Sequence, residues 1–192
     1  VAAGLFPVIV FGHGFVMGYD VYSNIWNALV PKGYIVVLPT TEGTFSPNHA
    51  SFGADIAFLA AKIQTEGANN SSPFYNRVAP KSGVMGHSMG GGSAFLAAEN
   101  NTSITTMVTL AAAETNPSST TAAANITIPT LTIAGEDDCV AAPATNALQM
   151  YNALASTCKT YININNGSHC FFAQNNFNCN FSILFSSKKD KI

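Results

Sequence analysis

SGVMGHSMGGGSAFLAAEN, residues 82–100, begins as a short apolar run, reaches a serine boxed in by glycines, and continues into an alanine-rich segment. Gly86, Ser88 and Gly90 within it match G-x-S-x-G. A serine at a sharp strand-to-helix turn sits in a strained backbone, and side chains two residues to either side would collide there. Glycines remove the collision. The Ser88 hydroxyl then projects from the end of the strand, and the N-terminus of the next helix points at it, which suits a developing negative charge. The competing reading is a glycine-rich turn carrying an ordinary serine. A strand before and a helix after are the context the motif requires, and they favour a nucleophile. Gly91 and Gly92 are read as small residues that let the new helix pack closely on the sheet.

Working outward, the same alternation recurs. Apolar runs closed by turn residues predict strands at 8–12, 34–38, 82–87, 104–113, within 126–138, where the strand runs into an acidic turn, and 159–166. Helical spacing predicts helices within 22–33, 50–66, 88–100 and 142–156, the second with Ile56, Leu59, Ala60 and Ile63 on one face. Residues 67–81 and 114–125 read as loops. Near-continuous apolar strands alternating with helices predict an α/β fold with a mostly parallel central sheet and helices on both faces. No repeat or linker divides the chain, so 1–192 is read as a single domain. Ligands bind such sheets at the carboxyl ends of the strands, where Ser88, Asp138 and His169 all fall.

A serine hydroxyl needs a base. His169 follows the last predicted strand and lies C-terminal to the other candidates, the order expected when nucleophile, acid and base follow one another along such a sheet. His13 and His87 are read as structural or pocket-lining, and His49 lies in a polar loop with no strand directly before it. The acid must accept the other imidazole N–H. Among Glu136, Asp137 and Asp138 the choice is Asp138, with Asp137 next and Glu114 more distant. An oxyanion needs two backbone N–H groups. Met89, directly after the nucleophile, supplies one, and Phe15 in the loop GHGFVMG supplies the other.

Composition narrows the class. Apolar residues make up 47% of the chain, ample for a core, while only 9% are charged and the net charge is −2. Lys and Arg total eight and cluster only in the tail SSKKDKI, so a nucleic-acid surface is not expected. No apolar run reaches the roughly 18 residues of a membrane span. Low charge with abundant Asn, Ser, Thr and Ala suggests a secreted protein, expected to be a monomer. The four cysteines, 139, 158, 170 and 179, lack zinc-site spacing and suggest two disulfides in an oxidising compartment. No metal or cofactor is expected.

With these residues in place, the chain resembles the bacterial cutinases and PET-degrading polyester hydrolases of the α/β-hydrolase fold. The resemblance covers about 6–169 and rests on PVIVFGHGF, SSPFYNRVAPKSGVMGHSMGGGSAFLAA, IPTLTIAGEDDCVAAPATN and NGSH. It implies an aspartate ten residues after Ile128, which is Asp138, and an acyl pocket lined by Phe15, Met89 and Val140. His87 and Glu114 complete the expected substrate-binding set. The chain departs from the family where an aromatic residue normally follows the fourth strand: Ala113 and Glu114 stand there. The sheet is also expected to lack N-terminal edge strands, and the final helix to be short or absent, with FSILF as the only late apolar run.

The disulfide pairing is argued from sheet geometry. Cys139 follows the acid and Cys170 the base, both at the top of the sheet, while Cys158 starts the last strand at the bottom. A helix of about 12 residues, about 18 Å, separates Cys139 from Cys158, far more than the roughly 4.4–6.8 Å between Cα atoms that a disulfide spans. The expectation is Cys139–Cys170 and Cys158–Cys179, with Cys170–Cys179 as rival. The functional expectation is a serine ester hydrolase acting on short- to medium-chain acyl esters or polyesters. A lipase or dienelactone-hydrolase-like esterase is the nearest alternative, and a non-catalytic binding protein on the same fold the alternative of another class.

Overall fold

The structure, a computed structural model, describes residues 3–174. Six strands form one parallel sheet in the order β2-β1-β3-β4-β5-β6: β1 Phe6–Gly12, β2 Ile35–Val37, β3 Val78–His87, β4 Ile104–Leu110, β5 Thr130–Gly135 and β6 Lys159–Ile164. Helices α1 Ser23–Leu29, α2 His49–Ala68, α3 Met89–Ala98, α4 Ser119–Ala123 and α5 Ala147–Ala153 pack around it. The α/β class and the parallel sheet read from the sequence are both present. Among the described residues no strand lies beyond β2. The expected shortening of the final helix and the run FSILF lie outside the described residues.

Alternation along the strands sorts the side chains into two layers. Val8, Val10, Val84 and Met107 turn to the larger core, where Phe52, Ile56, Ala60 and Ile63 of α2 and Met150 of α5 cover them. Phe11, Leu110 and the partly buried Met85, Val108 and Ile133 turn the other way, toward Tyr22, Trp26 and Cys170. Burying one such Phe, Ile or Met contributes about 1.5–3 kcal/mol, so α2 alone is strongly held. Its start is set by Asn48, whose side chain accepts the Ser51 N–H at 3.0 Å, a cap worth about 1 kcal/mol. α3 is buried nearly all round, which its run of Gly and Ala permits: a Cβ on Gly92 would strike the Ala113 carbonyl.

Two local readings change. Residues 78–81 belong to β3, not to the loop before it. The partners of β1 jump from Val78 to Ser82 as β1 advances from Phe6 to Val8. That bulge absorbs Pro80, which lacks a ladder donor. The polar segment 114–125 contains α4, nucleated by the Ser118 side chain accepting the Thr121 N–H at 3.1 Å. β1 is flanked by β2 on one side and β3 on the other, so the chain reverses its winding between β1 and β3. The crevice at that reversal is where an open α/β sheet takes its ligands.

Candidate active site

The β3–α3 junction places Ser88 at φ 55° and ψ −121°, a conformation that costs on the order of 1–3 kcal/mol unless the surroundings enforce it. They do. The Ser88 N–H donates to Leu110 O, and the Ser88 carbonyl accepts from Gly92 and Ala113, each at 3.0 Å. The flanking glycines are demanded by neighbouring backbone. A Cβ on Gly86 would meet the Gly90 carbonyl, and one on Gly90 would meet the Gly12 carbonyl at the end of β1. The elbow is thereby pressed against the strand that carries the neighbouring loop.

His169 opens a short 3-10 turn after β6 and reaches Ser88. Its Nε2 accepts from Ser88 Oγ at 2.8 Å, and its Nδ1–H donates to Asp138 Oδ2 at 2.7 Å. Asp138 follows β5, and its other oxygen accepts the N–H groups of Val140 (2.9 Å) and Ala141 (2.8 Å). All three side chains are buried. Burial pushes the Asp138 carboxyl up, but the hydrogen bond and charge of His169 and the two N–H groups outweigh it and hold it below the usual carboxylate range. Two of the rival carboxylates are engaged elsewhere. Glu136 accepts the Asn166 N–H. Glu114 accepts from Ser119 and Thr120 at the start of α4.

Met89 is the first residue of α3, where N–H groups lack helical partners. Phe15 lies between Gly14 and Val16 in a turn closed by Met17 N–H to Gly14 O at 3.1 Å, and its N–H donates to no acceptor among the described residues. Val16 holds φ 52°, rare for a β-branched residue. Phe15, Met89 and Ser88 face a cavity of about 360 Å³ whose other walls are Pro47, His49, Ala113, Glu114 and Val140. Phe45 packs its ring edge-on to Phe15 at 6.4 Å between centroids. Among the described residues no group of three or more His, Cys, Asp or Glu is placed to hold a metal ion, and no helix is long and apolar enough to cross a membrane.

A family model described as PETase, PET hydrolase-like, matches residues 1–187. The chain belongs to the PET hydrolase-like family. Among the relatives of this PET hydrolase-like chain, a bis(hydroxyethyl) terephthalate hydrolase of Streptomyces coelicolor is 26% identical over 170 residues, 86% of the chain and 51% of that protein. Cutinase est1 of Thermobifida alba is 36% identical over 55% of the chain and 34% of its own length. Chlorophyllase type 0 of Chenopodium album is 32% identical over 50% and 29%. The chain thus spans about half or less of the length of these relatives.

Three expectations need correction for this family member. His87 is read from sequence as structural or pocket-lining and placed in the substrate-binding set, but it has no exposed surface and does not line the cavity, which leaves the structural alternative. Burial, then the neighbouring His169, lowers it to about 3, so it is neutral at working pH. The pairing Cys139–Cys170 is absent: Cys139 is an exposed thiol, whereas Cys170 turns into the second core beside Tyr22 and Leu110. Cys158 is also an exposed thiol, which removes Cys158–Cys179; Cys179 lies outside the described residues. Cys170 itself is disulfide-bonded, so its partner is neither Cys139 nor Cys158.

Pro47 and His49 were missed. They follow β2, whose carboxyl end opens on the same edge of the sheet as Ser88, a general signal that does not single out these two residues. His49 Nδ1 accepts the Asn116 N–H at 3.1 Å, which bridges the two sides of the cavity. His13, with ring nitrogens 2.9 Å from Gly14 O and 2.8 Å from Thr41 O, sits buried behind the Phe15 loop.

Proposed function

We propose that this chain is a serine carboxylic ester hydrolase. Ser88 attacks the ester carbonyl while His169 takes its proton, and Asp138 holds the imidazole and stabilises its charged form. The N–H groups of Met89 and Phe15 receive the oxyanion. His169 returns the proton to the leaving alcohol, and water then releases the acid from the acyl-enzyme by the same steps in reverse. The observation that carries this reading is the continuous line Ser88–His169–Asp138, at 2.8 and 2.7 Å, beside a cavity lined by Ser88, Met89 and Phe15. A non-catalytic role is disfavoured because nucleophile, base and acid are all present and in contact.

The substrates proposed are short- to medium-chain acyl esters and polyesters, in keeping with the relatives' names. The cavity rim carries exposed Phe15 and Val140, which suit an apolar acyl chain. The working unit is read as a single secreted monomeric domain, in keeping with the low charge and a disulfide at Cys170. A p-nitrophenyl ester series from acetate to decanoate tests the reading. Turnover that survives unchanged in Ser88→Ala removes it, and the chain-length profile places the substrate class.

A further inference from the structure

We propose that Tyr22 and His87 are positioning residues that tie the loop carrying Phe15 to the loop carrying His169; this rests on the ester-hydrolase reading of the site. The two loops come from opposite ends of the chain, and a buried run of hydrogen bonds joins them. Gly14 N–H donates to Tyr22 Oη at 2.8 Å. Tyr22 Oη lies 2.9 Å from His87 Nδ1, and His87 Nε2 lies 2.9 Å from the His169 carbonyl. Tyr22 and His87 are fully buried.

The chemistry of the donors fixes the direction of the run. A carbonyl only accepts, so His87 Nε2 carries the ring proton, and Nδ1 of the neutral ring must accept. Tyr22 Oη accepts from Gly14 and has one proton to give. Nδ1 takes it, because the other acceptor in reach, Met17 Sδ at 3.3 Å, is weaker. Every polar atom in the run is then satisfied in one sense only.

The two ends of the run are the two halves of the chemistry. Gly14 is gripped at its N–H by Tyr22 and at its carbonyl by Met17 N–H. That fixes the turn that carries Phe15, a residue lining the cavity, next to the strained Val16. At the other end the main chain of His169 is anchored, and the rings of His87 and His169 lie 4.7 Å apart. A Cβ on Gly14 would come within 3.0 Å of Tyr22 Oη and 3.3 Å of His87 Nδ1, so the contact also depends on the absence of a side chain there. An error of about 1 Å at either end costs on the order of 100-fold in rate.

Nitrogen-15 NMR of the wild-type imidazoles tests the direction without any variant. The expected result is a neutral Nε2–H tautomer for His87 from pH 8 down to about pH 5. An Nδ1–H tautomer, or protonation in that window, overturns the proposal. Kinetics test the consequence. Tyr22→Phe removes the hydroxyl, and His87→Gln keeps a donor for the His169 carbonyl but loses the acceptor for Tyr22. Each is expected to lower kcat about tenfold with KM within about twofold, the signature of an interaction made in the transition state. The double variant is expected to be no slower than the worse single one. Additive losses, unchanged kcat in folded variants, or a change in KM alone overturns it. Ser88→Ala in parallel keeps the two claims apart: activity there defeats the hydrolase reading, and the tautomer still reports on the brace.

Discussion

On the floor of the site, Ser88, Asp138 and His169 are buried, and each reacting atom has a hydrogen-bonded partner. On the rim, Val140 is 59% exposed and Phe15 47%, and the Glu114 carboxylate is held by α4 rather than by anything across the cavity. The floor is fixed from several directions at once: backbone against backbone at Gly86 and Gly90, and three main-chain hydrogen bonds at Ser88. The rim side chains are fixed by little, although the backbone beside Phe15 is held through Gly14. On the proposed ester-hydrolase reading, floor residues set whether the reaction happens, and rim side chains set which ester it happens to. Changes to the floor should abolish kcat or folding, while changes to the rim should move KM and selectivity and leave stability nearly alone.

The sharpest break of that contrast is at the base and acid. His169→Ala is expected to lower kcat by about 10⁴-fold or more, and Asp138→Asn by on the order of 10⁴-fold, both read from p-nitrophenyl acetate turnover. Asp138 also leaves a mark on stability. Its folded carboxyl sits below the unfolded value of about 3.9. Its contribution is therefore present above that pH and lost as pH falls through the lower folded value. Asp138→Asn should flatten the acid limb of a urea-denaturation series against pH, and an unchanged limb would contradict the charged pair.

Next in size is the elbow itself. Gly90→Ala drives a methyl into the β1 carbonyls and is expected to cost about 3 kcal/mol or more by chemical denaturation. Gly43→Ala, with nothing within 4 Å, serves as the matched control and should change little. If Gly90→Ala proves as mild as the control, the floor is not packed as described.

The rim should answer more softly. Burial pushes the Glu114 carboxyl up, but hydrogen bonds from Ser118, Thr120 and Ser119 outweigh it, so a charge stands at the cavity wall. That charge should disfavour acyl groups that carry their own carboxylate. Glu114→Gln is expected to raise the rate on a succinate half-ester about fivefold relative to a neutral butyrate ester, the scale of one charge pair at the surface. Equal ratios in both proteins would remove Glu114 from selectivity. Smallest of all, Val140→Ala should raise KM for octanoate about twofold with no change for acetate, and a melting temperature shifted by more than a few degrees would contradict its placement on an exposed rim.

What could be read from residues alone divides along the same line. That Ser88, Asp138 and His169 come together was legible because each follows a strand, and strand ends in a parallel sheet converge. The elbow glycines were legible because their requirement is local and steric. Pro47 and His49 escaped because they stand well past the end of β2, where the path of a long loop depends on tertiary contacts such as Asn116 to His49. His87 was misplaced because adjacency to Ser88 in sequence says nothing about which side of the elbow the ring takes. Its place opposite Tyr22 arises from a contact 65 residues apart. The cysteine pairing failed for a related reason: position at the top of the sheet does not decide whether a side chain turns outward, as Cys139 does, or into the core, as Cys170 does. Residues 78–81 read as loop from sequence, whereas a bulge lets β3 run through Pro80.

The central claim is that Ser88 is the nucleophile of an acyl-transfer site. It is tested most directly by stoichiometric labelling with a fluorophosphonate probe, followed by peptide mapping of wild type and Ser88→Ala. The account predicts one probe adduct per chain on the peptide containing Ser88, with loss of p-nitrophenyl ester turnover in proportion to labelling, and no adduct in Ser88→Ala. An adduct on another residue, or hydrolysis undiminished in the fully labelled protein, would contradict it.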